Sequence, residues 1–310
     1  MSEALNSVDT ALLETIADMK NGEAKGAVNI RKDSGCASRM TTENIDIRSK
    51  TDKPGIDIIV KAGCKKETCH IPVIITKSGL TDTVYNDFFI GDDAEVTIIA
   101  GCGIHNCGDG ESRHDGVHTF HIGKNAKVTY IEKHYGEGDG NGENIMNPET
   151  VAYLDEGAVL QMDTSQIAGI DSTRRNTRMV CGKGAEVVVT ERLLTHGKQS
   201  ADSVMEIVLD GVDSKGRVIS RSVAQDDSVQ IFKPRVVGNA KCFGHVQCDS
   251  IIMGHARIAS VPEIAANDLD AQLIHEAAIG RIAGDQLLKL QTLGLTEEEA
   301  EDRILKGFLA

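Results

Sequence analysis

Four stretches of this chain repeat one pattern: a glycine-containing turn, an alanine, a polar or aliphatic residue, and a run rich in β-branched residues. They read "GDDAEVTII" from Gly91, "GKNAKVTYI" from Gly123, "EGAVLQMD" around Gly157 and "GKGAEVVVT" from Gly182, with alanines at Ala94, Ala126, Ala158 and Ala185. A turn that recurs with a small residue just before a strand is what stacked β-coils need, because the small side chain lets the backbone bend tightly at each corner. The chain is therefore expected to be mainly β and to wind as a parallel β-helix, or solenoid; a sandwich of similar short strands is the alternative. The 31 glycines, 3% aromatic residues and absence of tryptophan agree, since they leave a core of Val, Ile, Leu and Ala.

At both ends the hydrophobic period becomes helical. Residues 7–20, "SVDTALLETIADMK", place Val8, Leu12, Ile16 and Met19 on one face, with Ser7 as the expected N-cap. Near the C-terminus, "GDQLLKLQTLG" stops at Gly294, and "TEEEAEDRILKGFL" opens with Thr296 and Glu299 at capping-box spacing. Two short helices cannot form a core alone. Leu288, Leu293, Ile304, Leu305 and Phe308 must therefore cover the open end of the solenoid or bind a partner. The expected organisation is an N-terminal amphipathic helix (1–25), a β-helix core (26–275) and a C-terminal helical docking segment (276–310). Between the second and third repeats, "GEGDGNGENIMNPET" (136–150) reads as a mobile acidic loop. It imitates the start of a calcium loop but has Pro148 where the bidentate glutamate belongs.

The formal charge of −14, with scattered cations, argues against a nucleic-acid partner. There is no run of 18 apolar residues and no signal-peptide pattern, so a soluble cytoplasmic protein without membrane association is expected. The phosphate-binding pattern Gly-x4-Gly-Lys-Ser/Thr is also missing, so ATP hydrolysis would have to come from another protein.

Eight cysteines are too few for a disulfide scaffold in a chain of this length. They fall partly into three groups: Cys64, Cys69 and His70 in "CKKETCH"; Cys102, His105, Cys107, His114, His118 and His121 in "CGIHNCGDGESRHDGVHTFH"; and Cys248 in "HVQCDSIIMG" with His275 and Glu276 in "LIHEAAIGRI". The Cys-x4-Cys spacing of the first two can serve a structural zinc site. Strand alternation puts His114 and His118 on one face, without His121 or Cys107. One reading is a zinc-dependent hydrolase built on the Cys102–His121 cluster with Asp115 as base. Another is a purely structural solenoid that acts as a binding module. In the third group, His275 and Glu276 face oppositely on a regular strand unless a bulge turns them. Thiolate, imidazole and carboxylate together suit iron and sulfide better than a closed zinc site.

The segment "QCDSIIMG" followed by "HEAAIGRIAGDQLLKLQTLGLTEEEAEDRILKGF" closely resembles the C-terminal core of the SufB/SufD family, scaffold proteins of SUF-type iron–sulfur cluster assembly. The resemblance is specific over about residues 235–310 and diffuse before it. It implies a right-handed parallel β-helix, a two-fold homodimer formed at the end of that helix, and a C-terminal helical element that binds a SufC-like ABC ATPase. His-Glu at 275–276, where the SufD branch has His-Gly, places the chain nearer SufB, as a compact form. By the same resemblance Cys248 matches a cluster or persulfide-sulfur acceptor, Glu276 a nascent-cluster ligand, and His275 its interface neighbour. The implied function is that of a non-enzymatic scaffold. Sulfur from a cysteine desulfurase or another donor would be built into a transient iron–sulfur cluster, which then passes to apo-proteins. Cys102, His105, Cys107, Cys64 and Cys69 lie outside the well-matched region and are candidates, on composition alone, for a secondary metal site or a sulfur relay.

Overall fold

The computed structural model describes residues 5–309. The chain winds through about eight turns as a parallel β-solenoid, passing alternately through two 11-stranded sheets. One sheet stacks Glu95–His105, Lys127–Glu137, Val159–Ala168, Glu186–Thr195, Ser214–Ala224, Cys242–Ile252 and Gln272–Gly280, all parallel. The other stacks Thr81–Ile90, Ser112–Ile122, Ser172–Cys181, Ser200–Leu209 and Val229–Gly238, with Glu149–Leu154 bridging the second and third. Two antiparallel hairpins, Ala27–Lys32 with Gly35–Met40 and Ile45–Ser49 with Gly55–Val60, finish the N-terminal end. The solenoid is the expected fold; parallel coil-on-coil pairing is incompatible with the sandwich.

The repeated motif is the corner of each coil. Ala94, Ala126, Ala158 and Ala185 are buried. Their N–H groups donate to the carbonyls of Gly91, Gly123, Asp155 and Gly182 at 3.1–3.3 Å. The residue before each is left-handed: Asp93, Asn125, Gly157 and Gly184, drawn from the residue types that tolerate positive φ. Ser214, preceded by left-handed Asp213, makes the same turn onto Gly211. The corner thus requires a small residue rather than alanine in particular. Between corners, alternation sends every second side chain inward. Ile98, Tyr130, Met162, Val189, Val218 and Val246 form one apolar rung across successive strands. Phe88 and Phe120 stack beside it, ring centroids 4.1 Å apart.

The N-terminal helix spans Ser7–Ala17 and is capped by Asn6, not Ser7. Asn6 Oδ1 accepts the Asp9 N–H at 2.9 Å, and Asp9 Oδ2 accepts the Asn6 N–H at 2.8 Å. This reciprocal pairing satisfies two otherwise orphaned donors. Leu12, Leu13 and Ile16 are buried in a small cluster of their own, where the helix packs on the strands ending at His105 and Glu137. The helix backbone comes so close that a Cβ at Gly101 would lie 2.3 Å from the Ile16 carbonyl oxygen.

The stretch 136–150 is not the loose loop its composition suggested. Gly140 N–H donates to Asn106 O at 3.2 Å and Gly142 N–H to Gly108 O at 2.9 Å, so the segment is laddered onto the loop of the preceding coil. Its glycines permit that close stacking. At the other end, Gln272–Gly280 carries the sheet past residue 276, and the helices follow at Gly284–Thr292 and Glu297–Leu309. The last helix rests on the outer side of the Ser214–Ala224 strand, where Arg221 Nη1–H donates to Phe308 O at 3.3 Å. Val261, Ile264, Leu269, Ile274 and Ile279 of the final coil stay exposed. Among the described residues no helix is long and apolar enough to cross a membrane.

Because Gly101 admits the helix backbone, Gly101→Val should destabilise the protein by about 1–3 kcal/mol. It should also expose the N-terminal helix to protease before the rest of the chain. Urea denaturation and limited proteolysis test this; an unchanged midpoint with no early cleavage would contradict it.

Candidate functional site

The same alternation that builds the apolar rungs also sends charged residues inward. In Lys127–Glu137, Glu132 and His134 share the inward parity of Tyr130 and are buried. The register makes Ala100, Glu132, Thr164, Glu191, Ser220 and Cys248 successive neighbours on adjacent strands, with Cys102, His134 and Gln166 on the next rung. The opposite sheet contributes Asp82, His114, His118, Arg175 and Ser203, also buried. A polar lane therefore runs inside the solenoid from Cys102 toward Cys248.

Charges at this depth persist only when paired. Arg175 lies between two carboxylates, with Nη1 2.6 Å from Glu132 Oε2 and Nε 3.4 Å from Glu191 Oε1. Tyr130 Oη donates to Glu132 Oε1 at 3.0 Å and lies 2.8 Å from His118 Nδ1. Burial alone would raise Glu132, but Arg175 and His134 hold it well below the usual carboxylate range. Glu191 goes the other way: burial pushes it up, and Arg175, with Ser203 and Ser220, only partly offsets that. At the N-terminal mouth, Arg31 grips Asp82 with two bonds of 2.7 and 2.9 Å, and His114 Nδ1 lies 3.4 Å from the same carboxylate. Despite its burial, Asp82 is held well below its ordinary value, chiefly by Arg31 and His114.

Four of the buried thiols separate sharply. Burial pushes Cys69 and Cys181 up to about 12 and Cys248 to about 11. Burial acts on Cys102 in the same sense, yet His114 and His134 outweigh it and bring that thiol down to about 7. The same contact, with Asp82, raises His114 to about 10 against its own burial. His114 and His134 therefore favour the thiolate form of Cys102, the form in which a cysteine reacts.

Of the three residues first singled out, two meet inside: Cys248 Sγ lies 3.6 Å from His275 Nε2. Glu276 points outward, its side chain 65% exposed, with an oxygen 3.4 Å from His245 Nε2. The pairing from Phe243–Gln272 to Ile251–Gly280 is regular, so no bulge turns Glu276 inward. One chain alone does not gather Cys248, His275 and Glu276. Cys64 and Cys69 are core residues. Cys102 is buried and Cys107 exposed, so the spacing does not bring that second pair to a common site. His105 and Cys107 do meet, at the surface, 3.0 Å apart.

The hydrolase reading loses its base. Asp115 faces outward, bonded to Arg113 at 2.9 Å and Asn147 at 3.1 Å, while His114 and His118 face inward. No group of three or more His, Cys, Asp and Glu among the described residues could hold a metal ion. In the C-terminal helices, Leu288 and Leu293 are exposed by 61% and 75%. Ile304, Leu305 and Phe308 are half-buried, and Leu305 lines a cleft of about 460 Å³ against Leu194 and Gln225. Sequence reasoning missed Asp82, Glu132, His134, Arg175 and Glu191. The available signal was charged residues at the inward parity of their strands.

The model of the SUF-system iron–sulfur cluster assembly SufBD core domain matches residues 76–308. An iron–sulfur cluster assembly SufBD family protein of Methanocaldococcus jannaschii is 31% identical over 291 residues, covering 92% of this chain and 90% of the relative. One from Archaeoglobus fulgidus is 26% identical over 283 residues, covering 90% and 73%. Against a SufBD family protein of Methanothermobacter thermautotrophicus the identity is 27% over 234 residues, and the match spans 74% of this chain but 55% of that longer protein.

One pH dependence follows from the lane. Burial lowers His118 from 6.5 to about 4. Between those values the unfolded state binds the proton and the folded state does not, so stability falls as pH drops from 6.5 toward 4. His118→Gln should remove on the order of 3 kcal/mol of that acid loss. Urea melts of both proteins across this range test it; parallel acid limbs would contradict it.

Proposed function

The chain belongs to the SufBD family, and from that membership we propose that it is a scaffold on which iron and sulfide are assembled into a cluster for delivery to apo-proteins. The observation that carries the reading is the pair Cys248 and His275 at 3.6 Å, placed where the polar lane meets the last strand of the solenoid. A soft thiolate and an imidazole are suitable ligands for iron. Burial keeps Cys248 protonated at neutral pH, so Cys248 is better suited as a ligand that loses its proton to bound iron than as the first nucleophile. The nucleophilic role falls to Cys102, whose thiol is already lowered to about 7. Sulfur received there as a persulfide would have a polar environment between it and Cys248.

Two ligands do not complete a cluster, and the rest come from a second copy. The Gln272–Gly280 strand ends its sheet, and Ile274 and Ile279 on it are exposed. An uncovered strand edge with apolar side chains favours pairing with another chain. A homodimer formed there brings two Cys248–His275 pairs, and the outward Glu276 carboxylates, to one seam. Oxygen ligation would keep the cluster labile enough to hand on. The C-terminal helices, with Leu288 and Leu293 exposed and Ile304, Leu305 and Phe308 beside them, are the surface for a SufC-like ABC ATPase. Its nucleotide cycle would open the seam.

Anaerobic reconstitution with iron and inorganic sulfide should give a visible cluster chromophore in the wild-type protein, and Cys248→Ser should lose most of it while keeping its circular dichroism. A chromophore of full intensity in Cys248→Ser would contradict the assignment.

A further inference from the structure

The two hairpins that finish the N-terminal end leave a cavity of about 570 Å³ between them and the Thr81–Ile90 strand. Asn29, Arg39, Ser49, Lys50, Lys53 and Asn86 are among its lining residues. A pocket of this size accommodates a small organic molecule. Its charges and its unpaired polar atoms define the kind.

Four cations border the cavity, and two of them are neutralised. Arg31 is bonded to Asp82, and Lys50 is paired with Asp57 and, at 2.6 Å, with Asp87. Arg39 and Lys53 have no carboxylate partner among the described residues. Arg39 Nε donates to Asn29 Oδ1 at 2.8 Å and Nη1 to Ser49 Oγ at 2.9 Å, both neutral acceptors. These bonds fix the guanidinium plane and leave Nη2 without a partner among the described residues. Lys53 Nζ stands 4.5 Å from the centre of the Tyr85 ring. In a chain of net charge −14, two uncompensated cations at one cavity supply a site for an anionic group. Arg39 presents directional donors and Lys53 a point charge.

The side of the cavity that meets the lane has a different chemistry. Asn86 is 4% exposed, and its Oδ1 has no hydrogen-bond partner. Its orientation follows from its neighbours. Tyr130 Oη gives its proton to Glu132, so its oxygen accepts from His118 Nδ1 at 2.8 Å. His118 Nε2 is then the acceptor for Asn86 Nδ2, at 3.4 Å. A flipped amide would set Oδ1 against the Nε2 lone pair, so Oδ1 stays turned away from His118 as an unsatisfied buried acceptor. Such an atom calls for an O–H or N–H donor. Beside Arg31, Arg39, Lys50 and Lys53, a hydroxyl suits it better than an ammonium group.

We propose that this cavity binds a small hydroxylated anion, its carboxylate or phosphate held by Arg39 and Lys53 and a hydroxyl donated to Asn86 Oδ1. The site needs no cluster, no thiol and no second copy of the chain, so it goes beyond the scaffold reading and fails or holds separately from it.

Isothermal titration calorimetry on the full chain at low salt, with two matched pairs of probes, tests this. L-Malate and sn-glycerol 3-phosphate carry the hydroxyl; succinate and n-propyl phosphate lack it. Saturable binding of malate, of glycerol 3-phosphate or of both is expected, about tenfold tighter than that of the matched probe without the hydroxyl. Binding of malate alone makes the ligand a hydroxy acid, and of glycerol 3-phosphate alone a phosphate ester. Arg39→Gln and Lys53→Gln should each weaken binding about tenfold. Lys124→Gln, at an exposed cation outside the cavity, should leave it unchanged. Lys53 is exposed, so its variant reports on the site even where Arg39→Gln disturbs the hairpin. No saturable binding of either hydroxylated probe, equal binding within each matched pair, affinities unmoved by Lys53→Gln, or an equal loss in Lys124→Gln would overturn the proposal.

Discussion

The guanidinium of Arg175, held between Glu132 and Glu191, makes the rest of the interior tolerable. A carboxylate sealed in a β-solenoid without a partner would take up a proton or prevent folding. With Arg175 in place, Glu132 stays charged, and its negative field raises His134 despite that ring's burial. His134 and His114 in turn stabilise the Cys102 thiolate. The lane is therefore one coupled network from Arg31 and Asp82 at the mouth to Glu191, whose neighbour Ser220 stands beside Cys248.

That arrangement divides the thiol chemistry. Cys248, raised by burial, lies beside His275; burial acts on Cys102 in the same sense, but His114 and His134 outweigh it and lower that thiol; Cys107 is exposed, 3.0 Å from His105. Cys69 and Cys181 are small apolar core residues. Four environments for one side-chain type arise from position on a coil: which parity, which rung, and which neighbour across the sheet.

Much of the fold was legible because its cause is local. The left-handed residue and small residue of each corner stand together in the sequence at Asp93–Ala94, Asn125–Ala126, Gly157–Ala158 and Gly184–Ala185. The terminal helices announce themselves by period and capping residues, although Asn6 rather than Ser7 supplies the N-terminal cap. The site was less legible because its contacts are long-range. Spacing suggested Cys64 with Cys69 and Cys102 with Cys107, but separation along the chain says nothing about which residues share a rung. His275 and Glu276 are adjacent yet opposed, as regular alternation requires. Glu132 and His134, in "TYIEKHY", could have been recognised by parity with Tyr130, once the strand was accepted as two-faced. Arg175 as their partner could not, because it comes from the opposite sheet.

The most direct test of this account is the protonation state of Cys102. The ultraviolet absorbance of thiolate, taken as the difference between wild type and Cys102→Ser and followed across pH, should show one sulfur titrating near pH 7 in the folded protein and near its ordinary value after denaturation. A difference spectrum with no thiolate signal below pH 9 would mean that the lane does not hold a charged sulfur, and the account of the interior as a sulfur-handling space would fail.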